Sequence, residues 1–147
     1  MKATRSMNKV KYTITIIAVF FFTNCYSQNY IANKNIYGKW VGKGKFNNTK
    51  IRADVGDVDF IINVNEDNIV SGTIGDAKII DSKIMRHVTT SGKDGNTLKC
   101  KLEGKINNNS KLKRKYMKII MYVGDKNEVS TNFFYGRRIG GVILKKE

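Results

Sequence analysis

Residues Thr97 to Ile106 read TLKCKLEGKI. Leu98, Cys100 and Leu102 alternate with charged residues, so the apolar side chains fall on one face and the lysines and glutamate on the other. A period of two residues is typical of a β-strand with one buried side and one solvated side. The stretch therefore predicts a strand whose Cys100 thiol points into the protein.

Other short runs along the chain are rich in Ile, Val, Tyr and Phe and are broken by Asn, Asp and Gly, as strands are. No segment after the N-terminal region keeps apolar residues three and four apart over ten or more positions, so no helix is predicted. A loop with the hairpin dipeptide Asp-Gly is expected at Ser91 to Asn96, and a bend or bulge near Asp81 and Ser82. The other predicted strands are Tyr37 to Phe46, Val58 to Val64, Ile69 to Ile74, Ala77 to Val88, Tyr116 to Val123, Glu128 to Tyr135 and Ile139 to Leu144.

Eight antiparallel strands with short connections must bury one face and protect their outer edges. Sequential hairpins favour closure of the sheet on itself. We therefore predict an all-β fold, an up-and-down antiparallel barrel of about eight strands, with a two-sheet β-sandwich as the alternative.

The first 27 residues have the parts of an export signal in the usual order. A basic stretch without acids precedes the apolar run Tyr12 to Thr23, which is shorter than the roughly 20 residues that span a bilayer. Cleavage after Ser27 is expected, followed by a linker over 28–36 and a single domain over 37–147. In the alternative, Cys25 is acylated and tethers the protein to a membrane.

Positive charge is the largest deviation from ordinary composition. The predicted leader holds four basic residues and no acid, which leaves 23 basic and 12 acidic residues. An anion-binding patch is predicted at the turn before Tyr116, from Lys111, Lys113, Arg114, Lys115 and Lys118. Export argues against nucleic acid, so the expected partners are an anionic envelope surface or a partner protein.

Gly38-Lys39-Trp40, in the first strand of a small exported β domain, resembles the Gly-x-Trp signature of lipocalin and calycin barrels. The resemblance implies that Trp40 closes one end of the barrel and that an arginine near the last strand packs across its ring. Arg138, or its neighbour Arg137, is expected in that position, because a guanidinium over an indole is a favourable contact of about 0.5–2 kcal/mol.

The sequence lacks the groups that most active sites need. His87 is the only histidine, no nucleophile motif surrounds a serine, and Cys100 faces inward. The carboxylates of DVGDVD, Asp54 to Asp59, do not follow a known calcium-loop spacing. We expect no catalytic residue, no metal site and no cofactor.

A non-enzymatic binding module, exported to the periplasm, cell surface or medium, is thus the leading hypothesis. An eight-stranded barrel either fills its interior with side chains or holds one small molecule. The ligand would be lipophilic and would contact Trp40, Phe60, Leu102, Met121 and Phe133. The alternative is a structural or interaction protein of the cell envelope that docks through its basic face.

Overall fold

A computed structural model of the chain describes the backbone of residues 34–90, 93–122 and 127–147, with side chains at all of these positions except 86–90, 93 and 94. A 3-10 turn at Lys34–Ile36 precedes the strands, and a short helix, α1, spans Thr49–Val55. The strands are β1 Gly38–Phe46, β2 Val58–Val64, β3 Ile69–Ile74, β4 Ala77–Thr90, β5 Lys93–Glu103, β6 Tyr116–Met121, β7 Glu128–Tyr135 and β8 Arg138–Lys146.

The eight strands form a closed barrel in which each strand pairs antiparallel with the next along the chain. The last strand completes the ring: β8 pairs with β1, from Lys146 opposite Trp40 to Gly140 opposite Phe46. Closure removes the free edges at which sheets otherwise associate. The predicted all-β up-and-down barrel is confirmed, and the sandwich alternative is excluded by the pairing of the first strand with the last.

Buried and exposed side chains alternate along the strands of the barrel wall, as the sequence pattern predicted. In β2 every second side chain is buried, and β7 keeps the same alternation from Val129 to Tyr135. Each strand thereby sends one set of residues inward and the other outward. The predicted bounds of β2, β3 and β7 agree with the structure residue for residue.

The helix α1 corrects the sequence prediction, which placed only a turn and a loop between β1 and β2. Asn48 begins it by accepting a hydrogen bond from the Ile51 backbone N–H at 3.1 Å. Gly56 ends it with a φ of +77° and donates its N–H to the Arg52 carbonyl at 2.8 Å. Seven residues with one buried side chain, Val55, are too few to produce a helical period in the sequence.

The long hairpin of β4 and β5 is bulged where the sequence predicted a bend. Pairing shifts register between Ile80 and Lys83, and Asp81 there has a φ of +43°. The Ser82 hydroxyl bridges the irregularity, accepting from the Lys101 N–H at 2.8 Å and donating to the Ile80 carbonyl at 2.7 Å. A buried side chain therefore replaces the ladder bond that the bulge removes.

The predicted loop between β4 and β5, Ser91 to Asn96, extends too far along the chain. Residues 93–96 belong to β5, and Asn96 pairs with His87 of β4, so the Asp-Gly dipeptide lies within a strand. At the other end, β5 stops at Glu103, and Gly104 with a φ of +96° follows it, whereas the strand was expected to reach Ile106. The whole strand is thus shifted toward the hairpin turn.

The domain was predicted to start at Tyr37, but buried residues begin one position earlier. Ile36, in the 3-10 turn, is fully buried. The last three residues of the predicted linker therefore belong to the folded body. The predicted leader over 1–27, with Cys25, lies outside the described residues.

Candidate functional site

The barrel interior contains all five residues predicted to face a ligand. Trp40, Met121 and Phe133 are fully buried, and Phe60 and Leu102 are nearly so. They come from five different strands, so their common environment is the enclosed volume of the barrel. Their burial was predicted from the alternation, and a role in binding is taken up below as a proposal.

One half of the interior, where β1 and β7 end, is filled by an aromatic cluster of Phe46, Phe60, Phe133 and Tyr135. The Phe133 ring lies edge-on to Phe46, with centroids 5.1 Å apart, and tilted against Phe60 at 5.0 Å. Tyr135 joins through Phe46 at 6.4 Å. Such ring pairs add about 0.5–1.5 kcal/mol beyond the area that they bury. The rings of this half of the barrel therefore pack against one another.

Next to that cluster, toward the Trp40 end, the interior becomes partly polar. Thr131 precedes Phe133 by one inward position and is 1% exposed, and its hydroxyl has no hydrogen-bond partner among the described residues. Met121 lies directly opposite Thr131 on one side and directly opposite Asn96 on the other. The Asn96 side chain is also buried. A hydroxyl and an amide thus flank the flexible Met121 thioether inside an otherwise apolar wall.

The unpartnered hydroxyl has an energetic cost. A buried polar group without a hydrogen bond destabilises a protein by about 1–3 kcal/mol, and native proteins contain few of them. A molecule that is small enough to enter the barrel and can form a hydrogen bond with the Thr131 hydroxyl would remove this cost. A ligand with a polar group or a water molecule would meet that requirement.

Cys100 faces inward, as predicted, and is fully buried. Burial raises the pKa of its thiol to about 12. The thiolate is the reactive form of cysteine, so this side chain behaves as a small apolar residue near neutral pH.

Trp40 lies at the end of the barrel at which β1 begins and β8 ends. Its indole N–H donates to the Ile36 carbonyl at 2.6 Å, and both residues are fully buried. The Lys146 ammonium lies 5.5 Å from the centroid of the indole ring and donates to the Asn35 carbonyl at 3.2 Å. The lysine stem passes over Gly38, where a Cβ would come within 2.8 Å of Cε of Lys146. Gly38 and Trp40 of the Gly-x-Trp motif thus both contact Lys146 or lie beside it at this end of the barrel.

The cation over the indole is Lys146, which corrects the prediction of Arg138. Arg138 begins β8 and pairs with Tyr135, whereas Trp40 pairs with Lys146 at the other end of the same strand. The arginine was expected from the lipocalin resemblance alone. In an antiparallel barrel that closes β8 on β1, the start of β1 meets the end of β8, so Trp40 lies beside Lys146 and not beside Arg138.

The opposite end is covered by α1 and the loop between β5 and β6. The Asn107 amide donates to the Val55 carbonyl at 2.7 Å, and the Ser110 hydroxyl donates to the Asp54 carboxylate at 2.7 Å. Val55, Ile106 and Ser110 are buried beneath these bonds. The loop therefore closes this end over the aromatic cluster.

The acidic run at α1 and β2 has structural partners. Asp54 accepts from Ser110, as described, while Asp57 and Asp59 lie 3.6 and 3.3 Å from the ammonium groups of Lys45 and Lys43. Among the described residues, no three His, Cys, Asp or Glu side chains are grouped closely enough to hold a metal ion. The side chain of His87 lies outside the description.

The predicted basic patch is divided by the structure. Lys111 and Lys113 lie on the loop that covers the barrel end, and the backbone of Arg114 is fixed by Tyr135, whose hydroxyl accepts from its N–H at 2.5 Å. Lys115 and Lys118 instead flank the outer wall at β6, where their ammonium groups approach aromatic rings. Lys118, the member of the patch on β6, lies directly opposite Lys99, which the sequence prediction did not include.

Sequence reasoning also missed Thr131 and Asn96. A signal for Thr131 was present, since it falls on the inward register of β7 between Val129 and Phe133. Nothing in the sequence indicated that its hydroxyl lacks a partner, because that depends on neighbours from β6 and β8.

Comparison with known proteins gives no family. No family model matches the chain, and neither the curated proteins nor the solved structures contain a significant match. Within the described residues, no helix has the length and apolar character needed to cross a bilayer. Function must therefore be argued from the barrel itself.

Proposed function

We propose that this protein is an exported, non-enzymatic, lipocalin-like binding module that takes a small lipophilic molecule carrying one polar group. The ligand would lie in the half of the barrel between Trp40 and the aromatic cluster. Its polar group would accept a hydrogen bond from Thr131 or donate one to it. The observation that carries the proposal is the buried Thr131 hydroxyl without a partner.

The chemistry of the interior supports this ligand class. Binding sites for small molecules are mostly apolar, with a few polar groups that orient the ligand. Leu98, Ile119 and Leu144 supply apolar walls near Met121, and Thr131 and Asn96 supply the polar groups. The methionine has three rotatable bonds and can repack around a guest.

The aromatic cluster limits the size of the ligand. Phe46, Phe60 and Phe133 occupy the far half of the barrel, and α1 covers its end. A guest that entered there would have to displace close ring contacts. We therefore expect a ligand no larger than a short fatty acid or an alcohol of similar size, not a bulky polycyclic molecule.

Two other parts of the proposal rest on further observations. The lipocalin-like character is supported by the closed up-and-down barrel, the Gly-x-Trp motif in its first strand and the cation over the indole. Export is supported by the basic and apolar segments before Ser27. Intact mass of the native protein would distinguish a chain starting near Gln28 from one acylated at Cys25.

Binding can be measured through Trp40, which is the only tryptophan. A short fatty acid with four conjugated double bonds absorbs where indole emits, so its entry into the barrel should quench Trp40 saturably with one molecule bound per chain. Thr131→Val keeps the shape of the side chain and removes the hydroxyl. It should weaken binding about three- to tenfold, the equivalent of one neutral hydrogen bond.

The same variant should stabilise the empty protein, because it removes an unsatisfied polar group. Thr73→Val is the matched control, since Thr73 is a half-buried threonine on β3 and undergoes the same chemical change. It should alter neither binding nor stability appreciably. Absence of saturable quenching with fatty acids of several lengths, or equal affinity of the Thr131→Val protein, would refute the proposal.

A further inference from the structure

Three lysines lie side by side on the outer wall of the barrel. Lys83 of β4 is directly opposite Lys99 of β5, and Lys99 is directly opposite Lys118 of β6. All three side chains are exposed. Residues that face each other on antiparallel strands have Cα atoms about 5 Å apart, so this lysine row places three positive charges at regular intervals across the strands.

Such a row is unfavourable in the protein alone, because like charges directly opposite each other destabilise a sheet. Elsewhere on the wall three outward lysines are paired with acids: Lys43 with Asp59, Lys45 with Asp57 and Lys145 with Glu128. No ion pair is found for the lysine row among the described residues. The row therefore lacks the acidic partners that these three lysines have.

Aromatic rings lie beside two lysines of the row. The Lys99 ammonium lies 4.7 Å from the centroid of the Tyr116 ring, and that of Lys118 lies 5.4 Å from Phe134. Lys115 approaches the other edge of the same surface, 5.9 Å from Tyr116. Contacts of this kind orient the ammonium groups while leaving their charge exposed to an anion.

Acids on the same wall do not neutralise the row. Among the side chains described on β4 to β6, the carboxylates are Asp81 and Glu103. Asp81 is engaged by Lys101 at 2.7 Å, and Glu103 lies at the end of β5 beyond Lys101. The surface around Lys99 therefore keeps a net positive charge.

We propose that the lysine row is a docking site for a linear acidic polysaccharide, a glycan with one carboxylate or sulfate group on each sugar. A polymer with regularly repeated anionic groups can pair with successive ammonium groups in a straight row, whereas one small anion can pair with only part of it. This outer site is independent of the ligand proposed for the interior.

Two other anionic partners fit the surface less well. Single-stranded nucleic acid is usually bound by bases that stack on free aromatic faces, and here the rings of Tyr116 and Phe134 are covered by ammonium groups. A membrane surface favours apolar side chains gathered beside the basic ones. Two exposed aliphatic residues adjoin only the Lys83 end of the row, Ile69 opposite Lys83 and Met85 two residues along β4, whereas Ile61, Ile139 and Ile143 lie away from it on β2 and β8.

The test compares two triple variants with the same change in net charge. The row variant carries Lys83→Gln, Lys99→Gln and Lys118→Gln, and the control carries Lys43→Gln, Lys45→Gln and Lys145→Gln on the ion-paired side. The probe is polygalacturonate, a linear glycan with one carboxylate per sugar, with its methyl ester as the neutral counterpart. Affinity is measured by calorimetry at about 0.1 M salt and about 1 M salt, which shortens the screening length from about 10 Å to about 3 Å.

Wild-type protein should bind polygalacturonate but not the ester, and high salt should abolish binding. The row variant should lose about tenfold in affinity or more, as expected for three exposed charge pairs, while the control stays within about threefold of wild type. Lysine-to-arginine changes in the row should preserve binding. The row variant should melt no lower than wild type, because its substitutions relieve repulsion.

Equal losses in the two triple variants would overturn the proposal, because binding would then follow net charge alone. Binding of the methyl ester would overturn it as well. So would tighter binding to phosphatidylglycerol vesicles or to oligothymidylate through the same three lysines, which would assign the row to a membrane or a nucleic acid.

Discussion

Gly140→Ala should disrupt the aromatic cluster, although it adds only one methyl group. Gly140 faces inward on β8, directly opposite Phe133 on one side and Phe46 on the other. A Cβ at this position would lie 2.5 Å from the Lys45 carbonyl oxygen and 2.6 Å from Cε2 of Phe133, and would overlap Cζ of the same ring. Real Cβ atoms essentially never approach other heavy atoms within 3.0 Å, so the ring or the strand must move.

The expected cost follows from what can move. Overpacking a core costs about 1–3 kcal/mol. Of the two groups that the new methyl group would meet, the Phe133 ring can rotate, but the Lys45 carbonyl belongs to the paired backbone of β1 and β8. Replacing glycine by alanine otherwise stabilises a chain by about 0.4–1 kcal/mol through the unfolded state. We expect a net loss of about 2 kcal/mol, which corresponds to a melting temperature lower by about 8 °C in a domain of this size.

Gly141→Ala is the matched control. Gly141 is the next residue, faces outward, and a Cβ there would meet nothing closer than the Thr131 carbonyl oxygen at 3.9 Å. This variant should be as stable as wild type or more stable by up to about 1 kcal/mol. Urea denaturation followed by Trp40 emission measures both, because the single indole is buried in the native state.

A second substitution tests whether the loss of stability in Gly140→Ala comes from the contact with the Phe133 ring. Phe133→Leu in the Gly140→Ala background should cost less than it does in wild type, because it removes the ring that the new methyl group meets. The remaining contact with the Lys45 carbonyl makes the rescue partial. Equal stability of the Gly140→Ala and Gly141→Ala proteins would refute the packing described for this half of the barrel.

Three other predictions concern single groups. Trp40→Phe should lower the free energy of unfolding by about 1–3 kcal/mol, because the buried Ile36 carbonyl loses its donor; an unchanged urea midpoint by circular dichroism would contradict this. Cys100, with its pKa raised to about 12, should resist an aromatic disulfide reagent at pH 8 and react only in urea. The hydrogen bond and charge of Lys101 lower the pKa of Asp81 below 3.8, so its contribution to stability is present above that pH and lost as pH falls through the lower value. Asp81→Asn should therefore weaken the acid dependence of the urea midpoint below about pH 4, and an unaltered dependence would count against the pair.

The strands were predictable because their alternation is local. Val58 to Val64 and Glu128 to Tyr135 repeat apolar residues at every second position, and a turn composition bounds each. Closure was predictable for a different reason, since a small sheet with sequential hairpins must protect its edges. Neither inference required knowledge of which residues meet across strands.

What the sequence could not supply depends on register. The lysine row was invisible because Lys83, Lys99 and Lys118 are far apart along the chain and become neighbours only through strand pairing. The cation at Trp40 was wrong for another reason: Arg138 was taken from the lipocalin resemblance, although the start of β1 in an antiparallel barrel meets the end of β8, where Lys146 lies. Helix α1 was missed because its seven residues are too few to show a helical repeat of apolar residues.

The pairing of β1 with β8 has a consequence for the order of folding. It joins residues separated by nearly the whole domain, from Phe46 with Gly140 to Trp40 with Lys146, whereas every other strand pair is a local hairpin. Loop-closure entropy makes contacts between distant residues slow to form. During synthesis on a ribosome, the pairing of β1 with β8 must therefore wait until the final strand has emerged, and until then β1 remains an exposed edge that a chaperone could bind.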